Sequence, residues 1–115
     1  MRNLVRKVIK TDGTETDLIG PTSLRDVAKI IGAETLDTVI MRHMGNPMHV
    51  MLVDDAGWEF EAVEVSPGHI EHRTIRPRKP INAKATELYL KNMRPGTTHE
   101  IAGDVVILPD EDFGP

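Results

Sequence analysis

Turn signals cut this chain so often that no long regular element fits between them. Asp12-Gly13, Gly20-Pro21, Gly45-Asn46-Pro47, Asp55-Ala56-Gly57, Ser66-Pro67-Gly68, Pro77 with Pro80, and Pro95-Gly96 punctuate it. Glycine permits φ > 0 and proline withholds an N–H, so each cluster ends a helix or a strand. What remains is a set of strand-length and short helix-length segments. The chain has 115 residues, which is one domain's worth and enough to bury a core without metal or disulfide staples. It has no cysteine, which removes disulfides, thiol catalysis and thiolate metal sites. Only Trp58, Phe60, Tyr89 and Phe113 are aromatic, so the core is expected to be aliphatic, helped by six Met.

The segments 4–10 and 14–19 flank Asp12-Gly13, the signature of a two-residue type I′ hairpin. Ser23 reads as an N-cap with Asp26 three residues on. Leu24, Val27, Ala28 and Ile31 then recur at helical spacing, and Gly32 sits where a C′ glycine belongs. Residues 36–42 and 49–53 are rich in strand formers. Over 58–65, Trp58, Phe60 and Ala62 point one way and Glu59 and Glu61 the other, which predicts a half-buried strand. Residues 69–76 predict a further strand. Asn82 predicts the cap of a second helix over 83–91, with Ala85, Leu88 and Tyr89 inward. Residues 105–108 are apolar throughout, which predicts a central strand covered on both sides. The order β-β-α-β-β-β-β-α-β points to a single α+β domain over 1–115 with an acidic tail at 110–115. Its expected form is a mostly antiparallel sheet of about six or seven strands with two helices on one face. Two open sheet edges predict a twofold homodimer.

Net charge is −4, unevenly spread: residues 1–42 sum to +1, 43–69 to −5, 70–94 to +5 and 95–115 to −5. Pairing between blocks across a sheet predicts a neutral, solvated surface. An acidic chain disfavours nucleic acid as a partner. No apolar run approaches the roughly 18–20 residues of a membrane span, and the N-terminus lacks a signal-peptide stretch. A cytoplasmic location and no membrane partner follow as expectations.

Catalytic motifs are missing. No Gly-rich phosphate loop, G-x-S-x-G elbow or H-E-x-x-H occurs, so no catalytic residues, metal ligands or cofactor are expected. The two serines, Ser23 and Ser66, read as a cap and a turn. Glu59, Glu61 and Glu64 read as a solubilising edge, and the five histidines match no metal-ligand spacing. The sharpest local signal is basic. Arg73, Arg76, Arg78 and Lys79 stand among prolines that stiffen the chain, and Arg forks suit phosphate or carboxylate. With Asn82 at a helix N-terminus and the polar run Thr97, Thr98 and His99, these form the predicted ligand-binding set, suited to a nucleotide-sized anion.

The C-terminal third reads N-A-x-A-T-x-L-Y from Asn82, P-G-T-T-H-x-I from Pro95 and G-D-V-V-I-x-P-D-x-D-F from Gly103, preceded by H-V-M-L-V-D-D-A-G from His49. This pattern resembles small proteins of a domain-of-unknown-function family encoded by phages and other mobile elements. The resemblance spans about residues 36–113 and carries no catalytic residues. It implies a phage or mobile-element origin and an accessory role such as counter-defence. The expected function is noncatalytic: binding and inhibiting a host protein, or sequestering a small anionic signalling ligand. Two alternatives stand beside it. One is a small metal-dependent hydrolase using His99, Asp104 and His69 or His72. The other is a nucleic-acid binder using the basic 73–79 segment.

Overall fold

The computed structural model describes residues 4–45, 47–93, 96 and 99–113. Their elements follow the order expected from sequence: β1 (Lys7–Ile9), β2 (Glu15–Asp17), α1 (Leu24–Ile31), β3 (Leu36–Met41), β4 (His49–Asp54), β5 (Trp58–Ser66), β6 (His69–Pro77), α2 (Ala83–Asn92) and β7 (Val105–Pro109). The class is α+β, and every strand pairing is antiparallel.

The strands do not form one sheet. Five make a sheet in the order β2-β1-β7-β4-β3, and β5 and β6 pair only with each other. β7 lies at the centre and is buried at every position. Alternation along β1, β3, β4 and β7 sorts their side chains into two apolar faces. Val8, Val50, Leu52, Val106 and Leu108 lie with Val27 and Ile31 of α1. Ile9, Met41, Met51, Val105 and Ile107 lie with Ala85 of α2, flanked by Leu88 and Tyr89. The two helices therefore cover opposite faces, which corrects the expectation of both on one. The reason is the apolar run in β7: a strand apolar on both faces leaves half its side chains in water unless each face is covered.

Local signals hold where they rest on caps. The Ser23 hydroxyl accepts from the Asp26 N–H at 3.1 Å, and Gly32 closes α1 in the left-handed region at φ 68°. The first hairpin differs from expectation. Gly13 N–H donates to Lys10 C=O at 3.0 Å and Lys10 N–H to Thr14 C=O at 2.9 Å, giving a three-residue loop. Only its glycine has positive φ, at 92°, so the turn carries a single left-handed residue rather than the two of type I′. The acidic segment after β7 is fastened to the residue just before β1. Arg6 reaches both carboxylate oxygens of Asp112 at 2.9 Å each, and that aspartate side chain is only 2% exposed.

Asn82 is the central polar bolt of the body. Its Oδ1 accepts from Ala85 N–H at 3.0 Å, capping α2. Its Nδ2 donates to Ile9 C=O at 2.9 Å and Gly103 C=O at 3.0 Å, so one buried amide ties α2 to β1 and to the approach to β7. The β5–β6 ribbon stands apart from this. Each strand has nine residues, every residue of β6 is exposed, and the molecule measures 55 × 32 × 30 Å.

Candidate functional site

The β5–β6 ribbon is an arm built by ordinary hairpin physics without a core beneath it. The alternation of Trp58, Phe60 and Ala62 against Glu59 and Glu61 forms the expected strand, but the half-burial it implies does not follow. Phe60 is 52% exposed, Val65 43%, Ile70 60% and Ile75 51%. Only the base is anchored: Trp58 is half-buried, and its Nε1–H donates to Glu100 C=O at 3.0 Å. The register shifts twice, opposite Ile75 and at Val65, and such bulges twist a ribbon and protect its edges.

The backbone ladder joins the two strands, and one exposed ion pair crosses it. Arg76 Nε donates to Glu59 Oε2 at 2.7 Å across the register pair. That contact holds the Glu59 carboxyl below the ordinary carboxylate range, and the carboxylate raises the Arg76 guanidinium in turn. Arg73 stands opposite Glu61 and within 3.5 Å of Glu71 on its own strand.

Among the described residues, the members of the predicted basic set are not brought together. Arg73 and Arg76 lie on the arm beside carboxylates. Arg78 follows the arm, exposed, with its backbone N–H donating to Gly57 C=O at 2.8 Å. Lys79 turns into the body: its Nζ meets Asp54 at 2.6 Å and donates to the carbonyls of Ile31 and Gly32 at 3.0 Å each, closing the end of α1. Asn82 is fully buried with its amide committed to the fold, so it faces no ligand. Thr97 and Thr98 lie outside the described residues. His99 lies elsewhere, its ring centroid 5.4 Å from that of Trp58 and 6.1 Å from that of Tyr89.

The residues of the hydrolase alternative are also dispersed. His69 and His72 stand on the exposed arm. Asp104 accepts from Thr11 N–H at 2.9 Å. Among the described residues, no group of three or more His, Asp or Glu is placed to hold a metal ion. His49 is buried: its Nε2 accepts from Val5 N–H at 3.0 Å and its Nδ1 lies 2.8 Å from Pro47 C=O, which fits a neutral structural imidazole.

One feature escaped the sequence. A cleft of about 180 Å³ opens where the arm leaves the body. Trp58, Phe60 and His99 give it aromatic walls, and Asp37, Asp54, Asp55 and Glu100 rim it. The adjacent pairs Asp54-Asp55 and His99-Glu100 are visible in the sequence, but 44 positions separate them. Comparison with protein-family models, curated proteins and solved structures yields no match for this chain. No helix among the described residues is long and apolar enough to cross a membrane.

Proposed function

We propose that this is a noncatalytic accessory protein, of phage or mobile-element origin as its C-terminal pattern implies, that occupies a surface of a host protein with its β5–β6 arm. The observation that carries this reading is the arm itself. A lone two-stranded ribbon is marginal in water, and three strands or a packed helix are the usual requirement. This one exposes Phe60, Val65, Ile70 and Ile75, and among the described residues the outer edges of both strands are unpaired. A partner strand or apolar surface supplies what is missing, in the manner of strand addition.

The arm's charge favours a protein over a polyanion. Its strands hold Glu59, Glu61, Glu64 and Glu71 against Arg73 and Arg76. The carboxylates beside Arg73, Arg76 and Lys79 also compete with any small anion, which weighs against the sequestering alternative.

A photo-crosslinker at Ile70, with a second at Lys29 on α1 as control, tests the reading in host lysate. The expected result is one dominant heterologous adduct from position 70, lost when Phe60→Ser and Ile75→Ser are combined, and none from position 29. Equal adducts from both positions, or adducts only to a second copy of this chain, would overturn it.

A further inference from the structure

The cleft at the base of the arm has a chemistry of its own. Trp58 is fixed there by its hydrogen bond to Glu100 C=O, so its ring is held rather than free to turn away. Lys79 answers Asp54 at 2.6 Å, but among the described residues neither Asp55 nor Glu100 has a cation within ion-pairing distance. Among the described residues, no Lys or Arg lines the cleft. A fixed tryptophan face beside two carboxylates without an ion-pair partner attracts a cation through both ring quadrupole and charge.

Two observations narrow the cation. The carboxylates do not converge as metal ligands, which disfavours a small divalent ion and suits a broad, delocalised charge. The volume of about 180 Å³ is below the roughly 300–1,000 Å³ of ordinary metabolite pockets, and matches a side-chain end rather than a whole nucleotide or coenzyme.

We propose that this cleft receives one alkylguanidinium or alkylammonium group, the end of an arginine or lysine side chain belonging to the protein docked on the arm. The inference rests on the reading that a protein docks there, and it adds what that protein must present: a basic residue beside the surface that meets Phe60. The arm then supplies apolar contact and the cleft fixes register, a common division between an interface's apolar centre and its directional anchors.

Trp58 is the single tryptophan of the chain, so its emission reports the site directly. The full chain is titrated at low salt with the blocked peptide acetyl-Gly-Arg-Gly-amide. A saturable change with a dissociation constant of about a millimolar is expected for one exposed cation on an aromatic–acidic site. Affinity should fall about fivefold or more in Asp55→Asn combined with Glu100→Gln, and also when salt is raised. It should not change in Glu61→Gln combined with Glu64→Gln on the arm. Asp55 and Glu100 are exposed, so the first double variant leaves the core intact.

Absence of a saturable response, or unchanged affinity in the Asp55/Glu100 variant, would overturn the site. Spermidine binding more than about tenfold tighter than the peptide would assign the cleft to a free polyamine and overturn the side-chain source. Magnesium at matched ionic strength should give no response, and a response tighter than that of the peptide would overturn the organic cation. Failure of these titrations leaves the position-70 crosslink unaffected, so the two readings fail separately.

Discussion

The body and the arm are built from the same kind of antiparallel pairing, yet they solve opposite problems. In the body, β7 lies between β1 and β4, and both of its faces are sealed by helices. In the arm, β5 and β6 have one neighbour each, and the apolar members of their alternation face water. Hydrogen bonding alone does not separate the two, since both have ladders. Burial does: apolar area removed from water contributes roughly 25 cal/mol per Å², and the arm removes little of it. The body is where the chain's stability resides, and the arm is held by its ladder, one exposed cross-strand ion pair and its anchor at Trp58.

The sharpest way to break this contrast is at Asn82. Asn82→Ala removes the α2 cap and strands two buried carbonyls, so urea denaturation should show a loss of about 3–4 kcal/mol. A loss below about 1 kcal/mol would mean that the amide is not the bolt its three bonds suggest. Next in size is Lys79→Ala. It leaves Asp54, whose side chain is only 6% exposed, without its cation and uncovers the last carbonyls of α1. A cost of about 2 kcal/mol is expected by the same measurement, since an unpaired buried charge is worse than no pair.

The arm should behave otherwise. Replacing residues 60–74 by a short Gly-rich turn, with Trp58 and Glu59 kept, should change the stability of the body by less than about 1 kcal/mol in urea denaturation. Cooperative loss of the whole fold in that variant would show that the arm is part of the core. Smallest of all is Ile70→Ser, which should leave the unfolding midpoint within about 0.5 kcal/mol of the parent, as exposed substitutions do.

Acid separates the regions by the same logic. Glu59 is held below its ordinary value by the hydrogen bond and charge of Arg76. Its contribution is therefore present above the unfolded glutamate value of about 4.3 and is lost as pH falls through the lower folded value. In the body, Asp12 is lowered by the Thr14 hydroxyl and N–H, and Glu15 by Lys7 and Lys84. Both sit at the β1–β2 hairpin, on the side of β1 away from β7. Hydrogen exchange below about pH 4 should show amides of β5 and β6 opening while those of Val106 and Ile107 stay protected.

Much of the fold was legible because its signals are local. Ser23, Gly32 and Asn82 act within a few residues of themselves, and the alternation of Trp58 to Ala62 needs only the two-residue repeat of a strand. What the basic segment meets was not legible, for a reason equally physical. Arg76 and Lys79 look like free cations in sequence, but Glu59 lies 17 positions from Arg76, and the carbonyls that Lys79 meets lie 47 and 48 away. Periodicity states which side chains share a face and leaves open what lies against that face. So the sequence by itself determined the element order, the helix caps and the central place of an all-apolar β7. Only the tertiary structure decided that the helices take opposite faces, that β5 and β6 leave the sheet, and that Trp58 meets Glu100 across 42 residues to shape a cleft. Those outcomes depend on contacts between distant segments, whose energies are set by what each face finds to cover it.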